Sequence, residues 1–251
     1  MADFQLPWGS YLLFVLVALL YASVGHGGAS GYLALFTLFG ITTPAIAPVV
    51  LVLNIIVAST SFWHYRAKGH FSARILIPFV TLSIPFAFIG GALHISERLF
   101  ALILGIALLM SALRIITLRG NQPNDRQPSD KTLWLFGLPT GAILGMLSGI
   151  TGIGGGVFLS PVLVLTGWAS VKQSAALASA FIVVNSIGGL IGQLTRTSLS
   201  LEALLPLVAV VVVGGAIGSY LGATRLSHRW LQVILSIVLL SAGTKLLLKS
   251  L

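Results

Sequence analysis

The residues best suited to chemistry in this 251-residue chain are backbone groups and amides rather than acids or nucleophiles. GITGIGGGVFLSP, from Gly149 to Pro161, gathers Gly149, Gly152, Gly154, Gly155 and Gly156 between two apolar runs. Each glycine costs a helix about 1 kcal/mol relative to alanine, so the cluster predicts a helix break inside a hydrophobic region. Backbone that leaves helical geometry at membrane depth must find partners other than lipid. N–H groups at a helix start, aided by the positive end of the helix dipole, suit an anion. The other use of such glycines is close helix packing of the small-xxx-small type. A weaker copy, GHGGASG, places Gly25, Gly27 and Gly28 around His26.

Asn54 and Asn185 each fall near the middle of an apolar run, where an amide needs a partner. They read either as interhelical hydrogen-bonding groups or as a pair of ligand donors facing a cavity. Ser179, Ser186 and Gln193 share the Asn185 run and extend a polar face; Ser59, Thr60 and Ser61 are the analogous group beside Asn54. His26 stands where the second cluster has Ile153. It can bind an anion when protonated, relay a proton, or sit neutral against a carbonyl. The remaining histidines lack metal-ligand spacing such as HExxH, so no metal site is expected.

Absences narrow the chemistry further. The acidic residues Asp3, Glu97, Asp125, Asp130 and Glu202 all fall in loops or at the ends of apolar runs. Cation pathways commonly carry Asp or Glu; a neutral, donor-rich lining with basic flanks suits an anion better. Lys172 and Arg196 flank the Asn185 run, with snorkelling or topology-setting as their plainer role. A GxGxxG pattern begun at Gly152 ends on Val157 and has no βαβ context. With no nucleophile–base pair, metal cluster or phosphate loop, no catalytic residue and no cofactor are expected.

These groups must be positioned by membrane helices. The chain is 57% hydrophobic and 8% charged, with a mean hydropathy of +1.04, against about 25% charged residues in soluble domains. The net charge of +9 clusters in short segments between apolar runs, as the positive-inside rule requires, and nucleic acid is not an expected partner. There is no cysteine, which excludes disulfides and thiol chemistry. Spans are predicted at Leu6–Val24, Pro44–His64, Ile75–Leu93, Leu99–Ile116, Thr132–Leu147, Val171–Leu194, Leu201–Leu221 and Trp230–Leu248. Tyr32–Phe39 and Val157–Leu165 are too short to cross alone. The expected fold is an all-α polytopic membrane protein with about eight transmembrane helices plus two short broken or re-entrant segments. The first apolar run lacks signal-peptide character and is expected to be retained. All five tryptophans fall at predicted span ends, the aromatic-belt pattern.

The polar stretch 119–131 divides the chain into a first repeat, 1–118, and a second, 132–251. One constant shift brings Gly25, Gly27, Gly28 and Gly40 onto Gly152, Gly154, Gly155 and Gly167, with Asn54 about one helical turn short of Asn185. The repeats are parallel if the short pieces re-enter and return, with four crossings per half. They are inverted if those pieces help to cross. Lys and Arg are equally biased towards the linker side either way, so charge leaves the orientation open and puts the linker in the cytoplasm. Duplicated transporters place their sites at the repeat interface, in broken helices.

GITGIGGGVFLSPVLVLTG, its degenerate copy GHGGASGYLALFTLFG, and the duplicated spans resemble the TauE/SafE sulfite-exporter family, over essentially the whole chain. The resemblance implies transport of small sulfur-containing anions such as sulfite and organosulfonates. It carries the family's glycine motif onto Gly152, Gly154, Gly155, Gly156 and Pro161; in the first copy Ala29 and Ala34 replace the third glycine and the proline. The expectation is a secondary transporter in the cell membrane working by alternating access, with a passive anion channel as the alternative. Its partners would be a small anionic substrate and the lipid bilayer, and a homodimer is compatible with the sequence. The expected site comprises Gly25, His26, Gly27, Gly28, Asn54, Gly152, Gly154, Gly155, Gly156, Asn185 and Gln193.

Overall fold

The computed structural model describes residues 6–39, 41, 46–93 and 128–250, with isolated positions between 102 and 113. Among the described residues the ordered elements are helices: α1 (Ser10–Ser23), α2 (Ala29–Leu38), α3 (Ile46–Ala67), α4 (Ala73–Ala92), α5 (Asp130–Thr151), α6 (Gly156–Leu165), α7 (Val171–Leu194), α8 (Leu201–Thr224) and α9 (His228–Ser250). Five of them, α3, α4, α5, α7 and α8, are long and apolar enough to cross a membrane, while α1 and α6 are shorter. The predicted span Leu99–Ile116 lies largely outside the described residues, as do the turn before it, Gly40 and linker positions 119–127; Leu102, Gly105, Ile106, Leu109, Ala112 and Leu113 are helical. Large apolar side chains such as Leu135, Phe136, Ile143, Leu205 and Ile217 are exposed. A bilayer is the solvent that suits such a surface. Trp8, Trp63, Trp134 and Trp230 are exposed at or near helix ends.

Glycines set the helix contacts, and those contacts fix the chain directions. Gly137, Gly141, Gly145 and Gly149 lie four apart on one face of α5 and meet Pro78, Phe79, Ser83 and Ala87 in turn along α4, so the two helices run parallel with their backbones touching. Gly214, Gly218 and Gly222 of α8 meet the carbonyls of Val15, Leu19 and Ser23 in the same sense along α1. Helix association in lipid relies on such small-residue contact because lipid tails remove the hydrophobic drive. Gly188 against Ile84 and Gly192 against Phe88 make α7 parallel to α4, and Gly215 at Val57 and Gly222 at Tyr65 make α8 parallel to α3. Asn54 lies opposite Ser186, and Leu51 opposite Gly189, so α3 and α7 are antiparallel.

The two short helices turn back. Gly31 meets Val17, and Tyr32 and Phe36 pack on the Phe14 ring, so α2 returns along α1. In α6, Gly156 meets Ile182 and the Ser160 carbonyl accepts from Ser174, which makes α6 antiparallel to α7 and hence to α5. The α1–α2 hairpin therefore opens at the end where α3 begins. The α5–α6 hairpin opens at the opposite end, where α4 and α7 begin, and there Arg74 pairs with Asp130 at 2.7 Å.

Two boundaries differ from the sequence expectation. Gly149 does not break its helix: α5 continues to Thr151 because that glycine is needed as a contact surface for Ala87. The breaks are correspondingly tighter than 25–31 and 149–156, spanning residues 24–28 and 152–155. The linker prediction also ends late, since α5 starts at Asp130, capped by Ser129 accepting from the Thr132 N–H.

A side chain at Gly145 has no room, since even a Cβ there would overlap the Ser83 carbonyl. Gly145→Leu is expected to lower stability by about 1–3 kcal/mol. Gly9→Ala, with nothing within 4 Å, should leave the Tm of the detergent-solubilised protein unchanged.

Candidate functional site

Each break is built by a local rule. At the end of α1, Gly25 takes φ +77°; its N–H donates to the Ala22 carbonyl and the His26 N–H to the Tyr21 carbonyl. That pattern is a Schellman terminator, which requires a left-handed residue. Gly152 ends α5 in the same left-handed conformation. Gly154 and Gly155 also have positive φ, and Gly155 forms the N-cap of α6. Gly25 and Gly152 thus act as helix terminators, and a Cβ on Gly25 would overlap the Ala175 carbonyl.

Both breaks converge on one side chain. Asn54, fully buried midway along α3, accepts through Oδ1 from the N–H of Ala29, the first residue of α2, at 3.3 Å. Its Nδ2 donates to the Ile153 carbonyl in the second break at 3.2 Å and to Ser186 Oγ on α7 at 3.0 Å. Gly27 and Gly154 lack side chains for a reason visible here: a Cβ on either would overlap the Asn54 amide. A Cβ on Gly156 would likewise overlap Ile182, and one on Gly155 the edge of the Phe181 ring, though less severely.

A small cavity lies between the hairpin tips, lined by Tyr21, His26, Gly27, Gly28, Ala29, Ser30, Asn54, Ile153, Val157 and Ile182. It has room for about one water molecule. The first turns of α2 and α6 both border it, bringing two positive half-helix ends to one place. His26 Nε2 lies 2.9 Å from Ser160 Oγ on α6, and Nδ1 is buried without a hydrogen-bond partner. If Ser160 donates to Nε2, Nδ1 carries the hydrogen and is a donor without an acceptor. Tyr21 OH and Ser30 Oγ are 2.9 Å apart on the same side.

The other expected site residues stand apart from the cavity. Asn185 Nδ2 donates to the Phe181 carbonyl of its own helix at 2.9 Å, while Oδ1 has no partner. Gln193 Nε2 reaches the Gly149 carbonyl at 3.4 Å, tying α7 to the end of α5. The structure therefore brings His26, Gly27, Gly28, Asn54 and Gly154 together, and does not bring Asn185 or Gln193 to them. Of the polar face expected along the Asn185 run it brings in Ser186, through Asn54, and it adds Tyr21, Ser30 and Ser160. Ser160 follows the second glycine cluster; nothing in the sequence marks Tyr21.

Helices interrupted at membrane depth, meeting around a buried donor-lined cavity, define a multi-pass membrane protein of transporter type. The chain belongs to the sulfite exporter TauE/SafE family, whose match covers residues 10–246. It is 39% identical over 243 residues to the probable membrane transporter protein y4hK of Sinorhizobium fredii, covering 95% of this chain and 97% of that one. It is 27% identical to the probable membrane transporter protein MJ0441 of Methanocaldococcus jannaschii, covering 74% and 72% of the two chains. A probable membrane transporter protein of Xylella fastidiosa is 28% identical, over 80% and 79%. No solved structure gives a significant match.

Removing the Asn54 amide leaves the Ala29 N–H and the Ile153 carbonyl unpartnered in a buried place. Asn54→Leu is expected to destabilise the protein by about 2–4 kcal/mol, read as a lowered Tm in detergent. Asn185→Leu, which loses one bond within its own helix, should lower the Tm less.

Proposed function

We propose that this protein is a secondary transporter that moves a small sulfur-containing anion, sulfite or an organosulfonate, by alternating access of two inverted repeats. The observation that carries the reading is the meeting of the α2 and α6 N-termini at a cavity lined by His26 and Asn54. Transporters use half-helix N-termini in this way to hold anionic groups. Among the described residues the acidic side chains are Asp130 and Glu202, both in first turns at helix ends, so the cavity lining carries no carboxylate to repel an anion.

The chain directions support the inverted arrangement. The first half runs in through α1, back through α2, in along α3 and back along α4; the second half runs through α5 to α8 in the opposite senses. The packing pairs exchange between halves as well, α1 with α8 against α5 with α4. Arg66, Lys68, Arg74, Lys131, Lys172, Arg225 and Arg229 lie towards the linker end, which supports placing that end in the cytoplasm. A cavity with room for about one water favours a carrier over an open channel, because an oxyanion enters only once the hairpin tips part.

Sulfite, thiosulfate and short alkylsulfonates at millimolar concentration are expected to raise the Tm of the purified protein, since a ligand at 100 times its Kd stabilises by about 2.7 kcal/mol. Proteoliposomes should show saturable counterflow of the same anion. His26→Ala should abolish the shift while folding normally. Bulk conductance without counterflow would favour a channel, and no binding or movement of any sulfur oxyanion or organosulfonate would refute the transport reading.

A further inference from the structure

Lys245 is a half-buried residue of α9 whose Nζ donates a 3.0 Å hydrogen bond to the Ser30 carbonyl. Ser30 is 4% exposed and stands at the inner end of α2, whose outer end at Leu38 is 72% exposed. A lysine near the end of a membrane helix ordinarily extends its ammonium outward to the headgroups. This one points inward, onto a residue that lines the cavity between the hairpin tips. Ser30 belongs to the first turn of α2 and lines the cavity, so its carbonyl holds a cation beside the helix end that borders the site.

We propose that Lys245 is the charge-compensating residue of the anion site and sets its preference for net-negative over zwitterionic sulfur compounds. This rests on the anion-transport reading above. The Ser30 carbonyl holds the ammonium in place, one residue back from the cavity surface. The bound sulfonate meets the α2 and α6 N–H groups, with the lysine charge behind the α2 end. A substrate carrying its own ammonium group brings a like charge towards Lys245 and is disfavoured.

Ethanesulfonate and taurine share a sulfonate and a two-carbon chain and differ in the ammonium of taurine, which makes them the discriminating pair. Binding to the purified full chain should be measured by thermal shift and by competition against labelled sulfite. The wild-type protein is expected to bind ethanesulfonate about tenfold tighter than taurine. Lys245→Gln should weaken ethanesulfonate about tenfold and bring the two ligands within about twofold, and Lys245→Arg should restore the preference. A purely structural lysine would alter Tm without altering the ratio of the two affinities. An unchanged ratio in Lys245→Gln overturns the assignment and leaves the anion reading standing. Wild-type protein that binds taurine as tightly as ethanesulfonate overturns the assignment without recourse to any variant. Wild-type protein that binds no sulfur anion at all overturns both.

Discussion

A peptide group without its helical partner inside a bilayer has no water to turn to, and leaving it bare costs several kcal/mol. In this protein the Asn54 side chain answers that need in both breaks, accepting from Ala29 at the start of α2 and donating to Ile153 before α6. A carboxamide is the natural group for the task, because it offers an acceptor and a donor on one planar end without a charge to desolvate. The two interruptions are consequently not independent. Moving either hairpin tip disturbs the same amide, and with it the bond to Ser186 on α7.

The glycines make that geometry reachable, in two distinct ways. Gly25, Gly152, Gly154 and Gly155 supply the left-handed backbone that stops one helix and starts the next. Gly137, Gly141, Gly145 and Gly149 keep regular helix and instead let α5 lie directly on α4. The division falls inside one run of sequence, between Gly149 and Gly152. In lipid the second group matters as much as the first, since close backbone approach replaces the hydrophobic drive that holds a soluble core together.

This double use hides the helix break within the sequence. Hydropathy located the long helices closely, α7 at its full length from Val171 to Leu194, because apolar length is a property of each segment alone. The break begins at Gly152, three residues beyond Gly149, and a glycine that packs looks like a glycine that turns until the neighbouring helix is known. Asn54 was legible as a mid-span amide, and its partners lie on other helices. Asn185 looked equivalent by repeat position, yet its amide donates within α7. Chain direction, left open by charge counting, follows from which residue meets which along α4, α5 and α8. That information exists only in pairs.

The asymmetry between the hairpins follows from the same logic. A site shared by two fully equivalent halves would present the same groups from both sides of the cavity. Here the first tip brings His26, Tyr21 and Ser30, with Lys245 behind Ser30, whereas the second brings Ile153 and Val157 and contributes mainly backbone. The well-formed glycine motif thus belongs to the half that offers peptide groups, and the degenerate one to the half that offers side chains. In the same register His26 stands where the second stretch has Ile153, and Ser30 where it has Val157, so the polar side chains occupy positions that are glycine in neither stretch. One small cavity thereby combines preset backbone donors with a titratable ring and a nearby cation.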